Sequence, residues 1–547
     1  MKIYQALANA FHREQVESCF ALLGDANMHW AGALAETGIQ LIYTRHEHAA
    51  VAAATAYARA TGKTGVATVT CGPGLTQVMT ILPIAVRARI PLIVFAGEAP
   101  LNKPWYNQSI NQKPFVEACG AQYLTLHDTK TIVADTHQAF VTARQTRSPV
   151  VIGVPFDLQQ QTFENQTMQA VSDELIIKKP PLTPDTKSID QASAWIAKAE
   201  RPIVLAGLGA ATADAKDACI ELAKKSGACL ATTLPAKGLF HDQPYCLGVA
   251  GGFATEASKK IFAECDLVIG IGTRLAAHTF DGGNLTPNAK VVHIDHDPQE
   301  YVQGRKASDL MIAADATTGA DALCKAVTQQ TGWRTSLMQK QTQAALTLPD
   351  QTQTPDGVLH PMAVVKKLAD VIPADCHIVN TSGHSAYYTA QMNHHPHDHY
   401  TVIREFGAIG NGTSFAMGIA AAYPQRSVVL LDGDGSALMH IQELETIIRH
   451  QMKILIVILN DGAYGSEIHK LRADGVTTAG SEFGRPDFSA IGQGFGLNGK
   501  TFTELDSMAI CMKEFLADPV ATVWDIHISD KVASPQILKA HQAAVPK

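Results

Sequence analysis

The 547-residue chain lacks several features, and each absence removes a class of protein. Its ten cysteines contain no CxxC pair and no even spacing, so neither a disulfide framework nor a zinc site is indicated. No apolar run approaches the ~20 residues of a membrane span. No long basic run offsets the net charge of -7, which argues against a nucleic-acid surface. The N-terminus, MKIYQALANAFHREQVESCF, has no separate apolar h-region and reads as an amphipathic helix, so secretion is not expected and a cytoplasmic protein with reduced thiols is. What is present is the apolar fraction of a well-packed soluble protein, at a length that calls for about three domains.

The densest signal runs from Val428 to Gly465. An apolar run, Val428 to Leu431, breaks at Asp432-Gly433-Asp434-Gly435, apolar residues then recur at helical spacing, and a second apolar run from Ile454 ends at Asn460-Asp461-Gly462. This is a βαβ unit. Parallel strands end on one edge, so the two turns meet although a whole helix and strand separate Asp434 from Asn460. A carboxylate, an amide oxygen and a backbone carbonyl suit a hard divalent cation, and the glycines admit phosphate to backbone N–H groups at a helix start.

Gly433-Asp434-Gly435, followed at the end of the next strand by Asn460-Asp461, resembles the fingerprint of the thiamin diphosphate (ThDP) enzymes related to pyruvate decarboxylase, acetolactate synthase and benzoylformate decarboxylase. A second match lies far upstream, where Arg45-His46-Glu47 precedes an alanine-rich YARATGK helix and a Gly72-Pro73-Gly74 turn. The resemblance implies three doubly wound α/β domains with parallel sheets: a pyrimidine-binding domain at 1–165, a Rossmann-like middle domain at 186–335 and a diphosphate-binding domain at 358–547. Polar linkers are expected at about 159–190 and 335–358.

The same resemblance implies roles. Mg²⁺ is assigned to Asp434, Asn460 and the Gly462 carbonyl. Gly383, His384, Ser385, Gly433, Gly435, Ser436, Ala463 and Tyr464 surround the diphosphate. Gly407 and Ile409 cradle the pyrimidine, and Glu47 is the acid/base that tunes the cofactor. Gln108, His278 and Glu467 are candidate substrate-pocket residues. Gly207-Leu208-Gly209 is an incomplete dinucleotide fingerprint, so FAD is left open and not expected.

The implied chemistry is attack of a C2 carbanion on a 2-oxo acid with loss of CO₂ to give an enamine. Glu467, lying just past Asn460, favours protonation and a non-oxidative decarboxylase of the benzoylformate or branched-chain type. Acetolactate synthase-like carboligation is the alternative, and a non-catalytic ThDP-binding homologue the second. Because Glu47 and Asp434 fall in separate domains, the resemblance implies a homodimer with shared sites, paired into a homotetramer. No nucleic-acid or membrane partner is expected.

Overall fold

The computed structural model describes residues 1–164, 170–177 and 179–544. Three six-stranded sheets, each wholly parallel, follow one another along the chain. The first contains β1 (Ser18–Ala21), β2 (Gln40–Tyr43), β3 (Gly65–Val69), β4 (Leu92–Glu98), β5 (Gln122–Thr125) and β6 (Pro149–Pro155), in the order β2-β1-β3-β4-β6-β5. The expected N-terminal amphipathic helix is present as Ile3–Arg13.

The middle sheet contains β7 (Pro202–Ala206), β8 (Cys229–Thr232), β9 (Cys246–Val249), β10 (Leu267–Ile271) and β11 (Lys290–Asp295). A small antiparallel ribbon, β12 (Tyr301–Val302) with β13 (Arg305–Lys306), precedes its last strand, β14 (Leu310–Ala313). The order β14-β11-β10-β7-β8-β9 is the Rossmann arrangement, with its switch point between β7 and β10. The third sheet contains β15 (His377–Asn380), β16 (Tyr400–Val402), β17 (Val428–Gly433), β18 (Ile454–Asn460), β19 (Asn498–Phe502) and β20 (Thr522–His527). Its order, β16-β15-β17-β18-β20-β19, repeats the pattern of the first sheet.

The first and third sheets share one core. Helix Glu47–Thr61 packs on helix Gly412–Ala422, and the alanines of the first let the two backbones approach. A Cβ on Gly418 would stand 2.1 Å from the Ala53 carbonyl oxygen, so only glycine fits that crossing.

The linkers differ from expectation. Of 159–190, residues 165–169 and 178 lie outside the described residues, and a short helix, Ser172–Leu175, falls between them. The first half of the span 335–358 is not a linker. Thr335 caps a helix at Ser336–Leu346 that buries Met338 and Ala345, a polar-looking sequence with one narrow apolar stripe. No described helix is long and apolar enough to cross a membrane, and all ten cysteines are free.

Candidate active site

In the third sheet the chain reverses direction of winding between β15 and β17, the place where open α/β sheets hold ligands. A cavity of about 790 Å³ opens there, lined by Ser382 to Ser385 after β15, Gly433 to Ser436 after β17, and Asp461 and Ala463 to Glu467 after β18. Arg404, Gly407 and Ile409 form another wall. The C-terminal domain residues expected around a cofactor therefore converge, with two exceptions at the metal turn.

Asn460 is the first exception. As the last residue of β18 it points into the sheet, donating from Nδ2 to Asp525 Oδ1 at 2.9 Å and to the Pro486 carbonyl at 3.2 Å. It is fully buried and does not line the cavity. Its neighbour Asp461 does line it, close enough to Asp434 for each carboxylate to oppose ionisation of the other. Burial pushes Asp434 up to about 7, and Asp461 is raised well above the ordinary carboxylate range by burial and by Asp434.

The Gly462 carbonyl is the second exception. It already accepts from the Phe483 and Gly484 N–H groups, at 3.0 and 3.1 Å. In the same antiparallel bridge Tyr464 donates to the Ser481 carbonyl, which makes Ala463 and Glu482 a non-hydrogen-bonded pair and leaves the Ala463 carbonyl unused by that ladder. Asp434, Asp461 and the Ala463 carbonyl form an all-oxygen donor set whose negative charge no lysine or arginine neutralises by an ion pair among the described residues. That is the chemistry of a hard divalent cation. Asp434 is oriented by the Gly435 and Gly462 N–H groups, both at 2.7 Å.

Several cavity glycines sit where a side chain would be strained or blocked. Gly383 and Gly407 have φ of 98° and 75°, and a Cβ on Gly435 would lie 2.6 Å from the Tyr464 ring. Ser436 accepts from the Gly410 N–H and donates to Asp432, which ties the two walls together. His384 accepts at Nε2 from the Ser534 N–H at 3.0 Å, which puts its proton on Nδ1. Burial beside His469 pushes it down to about 3, so it is a neutral group. Ser382 Oγ is shielded from solvent without a partner among the described residues, a polar atom in the wall that a bound cofactor would satisfy. Thiamin diphosphate and a divalent cation thus fit the residues present.

Glu467 lies on the cavity wall, half exposed, 3.8 Å from Lys470. Glu47 is not among the lining residues. It stands at the start of helix Glu47–Thr61, with its Oε1 3.5 Å from where a Gly74 Cβ would be. Gln108 is on the same edge, accepting from Cys71 Sγ at 3.5 Å, and its carbonyl sits against Gly72. Gln112 holds that turn, accepting from the Gly72 N–H at 2.8 Å. His278 is exposed on the middle domain, its carbonyl pressed on Gly251, and it lines neither half of the site. Sequence reasoning passed over Asp461 as a ligand, Arg404, and the imidazoles of His48 and His440, which stack at 4.8 Å on the cavity rim. Asp461 was visible as the neighbour of Asn460 and His48 as the neighbour of Glu47; Arg404 and His440 belong to no motif.

At the Rossmann switch point Gly207 and Gly209 are consumed by packing. Gly209 donates to the Gly272 carbonyl at 2.9 Å, and a Cβ on Gly207 would meet that oxygen at 2.2 Å.

Family comparison agrees with this geometry. The thiamine pyrophosphate enzyme models match in order: the N-terminal TPP binding domain at 1–119, the central domain at 189–323 and the C-terminal TPP binding domain at 381–526. The chain belongs to the thiamine pyrophosphate enzymes. Among curated proteins it is similar to the acetolactate synthase large subunit of Parasynechococcus marenigrum, 28% identical over 96% of this chain and 87% of the relative. It is equally similar to acetolactate synthase isozyme 2 large subunit of Escherichia coli, 28% identical over 94% and 93%. The probable acetolactate synthase large subunit of Methanocaldococcus jannaschii is 29% identical over 98% and 93%.

Proposed function

We propose that this protein is an acetolactate synthase-like enzyme that uses thiamin diphosphate and Mg²⁺ to take the acyl unit of a 2-oxo acid and join it to a second carbonyl compound. The observation that carries this reading is the run of relatives named acetolactate synthase, aligned over nearly the whole chain. It replaces decarboxylation as the leading expectation. Domain limits of 1–165, 186–335 and 358–547 accommodate the three family matches.

When bound, the cofactor supplies a carbon nucleophile and an electron sink for loss of CO₂. The chain's residues do the rest. Asp434, Asp461 and the Ala463 carbonyl replace the Asp434, Asn460 and Gly462 set as the proposed metal ligands. Gly383, His384, Ser385, Gly433, Gly435 and Ser436 receive the diphosphate. The Gly407 carbonyl and Ile409 position the pyrimidine, and Glu47 exchanges a proton with it. FAD stays a secondary question for the visible spectrum of the purified protein.

Glu47 and Gln108 edge one half-site and the metal turn the other, and both edges carry exposed apolar side chains. Trp105 is 77% exposed on the first; Met439, Tyr464 and Phe483 are exposed on the second. Exposed aromatic side chains on both edges suit a contact between subunits. The reading is a homodimer in which each site takes Glu47 from one subunit and the metal from its partner, with pairing into a tetramer. The free cysteines fit a cytoplasmic setting.

Glu467 supports the second reading, a decarboxylase, because a carboxylate on the cavity wall could deliver the proton that releases an aldehyde. Incubating the holoenzyme with a panel of 2-oxo acids separates the two. Hydroxyketone products support the synthase reading, and aldehyde alone replaces it with the decarboxylase. Under the second outcome Glu467→Gln slows aldehyde release by roughly 10²-fold or more.

A further inference from the structure

Arg404 is a cation in the cavity wall that the proposed cofactor roles leave unused. Its guanidinium makes no ion pair and no hydrogen bond among the described residues, and Nη1 is shielded from solvent. The adjacent carboxylate is taken: Glu405 Oε1 pairs with Arg59 at 3.2 Å, and Oε2 accepts from the Arg404 backbone N–H at 2.8 Å. The other lysine or arginine of the wall, Lys470, faces Glu467.

The guanidinium is positioned by aromatic packing and by no polar partner among the described residues. It lies over the Phe253 ring at 4.6 Å and 5.7 Å from the Tyr387 ring, and those two rings are themselves stacked at 4.9 Å. Phe253 comes from the middle domain and is fixed by Gln391, which donates to its carbonyl at 3.0 Å. The aromatic pair holds the guanidinium beside the cavity and leaves Nη1 without a partner, and a planar guanidinium is suited to bidentate recognition of a carboxylate. An unpaired buried N–H costs stability, so the position is explained by a ligand that completes it.

We propose that Arg404 binds the anionic acid group of the substrate and gives the cavity its preference for acids over uncharged carbonyl compounds. This rests on the 2-oxo acid reading above and names the group that recognises such a substrate. The middle domain thereby contributes to specificity through Phe253.

The test is a binding measurement that needs no turnover. Protein loaded with ThDP and Mg²⁺ is titrated calorimetrically with an unreactive 2-hydroxy acid and with the matching 2-hydroxy amide. A charge-assisted pair predicts about 10–100-fold tighter binding of the acid by the wild type. Arg404→Met abolishes the preference while ThDP affinity stays unchanged, and Arg404→Lys, which keeps the charge and loses the fork, retains part of it. The lysine variant also carries the test should the methionine variant fail to fold. No acid preference in the wild type, an undiminished preference in both variants, or lost ThDP affinity in either overturns the proposal. An Arg404-dependent preference in a protein that turns over no 2-oxo acid upholds the proposal and removes the reaction assigned above; turnover of 2-oxo acids with a preference indifferent to Arg404 does the reverse.

Discussion

Replacing either of two adjacent residues, Asn460 and Asp461, decides which one serves the metal. Asn460→Ala removes a buried amide that donates to Asp525 and Pro486, leaving the Asp525 carboxylate short of a partner. A buried hydrogen bond to a charged group is worth about 1.5–3 kcal/mol, so the apo protein loses stability on that scale. Asp461→Ala has the opposite effect on the apo protein. It removes a carboxylate crowded against Asp434, so the variant is as stable as the wild type or more so.

The ligand-loaded state reverses the ranking. At ThDP and Mg²⁺ concentrations about 100 times the dissociation constant, binding stabilises the folded state by about 2.7 kcal/mol. A 100-fold loss of affinity in Asp461→Ala reduces that to about 0.4 kcal/mol at the same concentrations. Asn460→Ala keeps most of the ligand-induced gain above its lowered baseline. The assay is the unfolding midpoint with and without both ligands. Ligand stabilisation that survives in Asp461→Ala and vanishes in Asn460→Ala would refute the reassignment.

Two further outcomes follow from the geometry. Mixed and refolded Glu47→Gln and Asp434→Ala subunits regain activity that neither variant shows alone, because a mixed dimer has one site with both residues intact; no recovery despite tag-verified subunit exchange rejects shared sites. His377 is buried with Nε2 bonded to Thr401 Oγ1 at 2.8 Å, and burial, with Arg426 nearby, pushes it down to about 3 from 6.5. Its folded pKa is depressed, so the unfolded chain binds the extra proton: the stability is present above pH 6.5 and is lost as pH falls towards 3, by up to about 1.4 kcal/mol per pH unit. His377→Gln flattens the stability profile between pH 6 and 4 by that slope, and an unchanged profile rejects the assignment.

The sheets were legible because their strands are short apolar runs closed by glycine turns. Runs at 428–431 and 454–459 became β17 and β18 in parallel register, with Gly433 opposite Leu459. What was not legible was the orientation of single residues at a strand end. The Ile454–Leu459 run is apolar on both faces, so its pattern gives no phase, and side chains alternate from one residue to the next. Asn460 continues the strand and turns inward while Asp461 begins the turn and faces the cavity. The Gly462 carbonyl was lost as a donor for a different reason: its partners, Phe483 and Gly484, arrive from an irregular segment beyond the next helix, which no periodicity announces.

Arg404 shows the limit of motif reading more sharply. Its meaning depends on Phe253, far earlier in the chain and in another domain, and on Glu405 being engaged by Arg59 from a third. Neither contact leaves a spacing in the sequence. The fold supplies both by fusing the outer domains through the Ala53–Gly418 crossing and setting the middle domain against the helix and turn that follow β15, at Tyr387 and Gln391. Recognition of the cofactor is therefore written in local motifs at strand ends. On the proposal made for Arg404, recognition of the substrate is assembled from single residues that only the packing of three domains brings together, which is why the family could be read from the chain and the acyl donor could not.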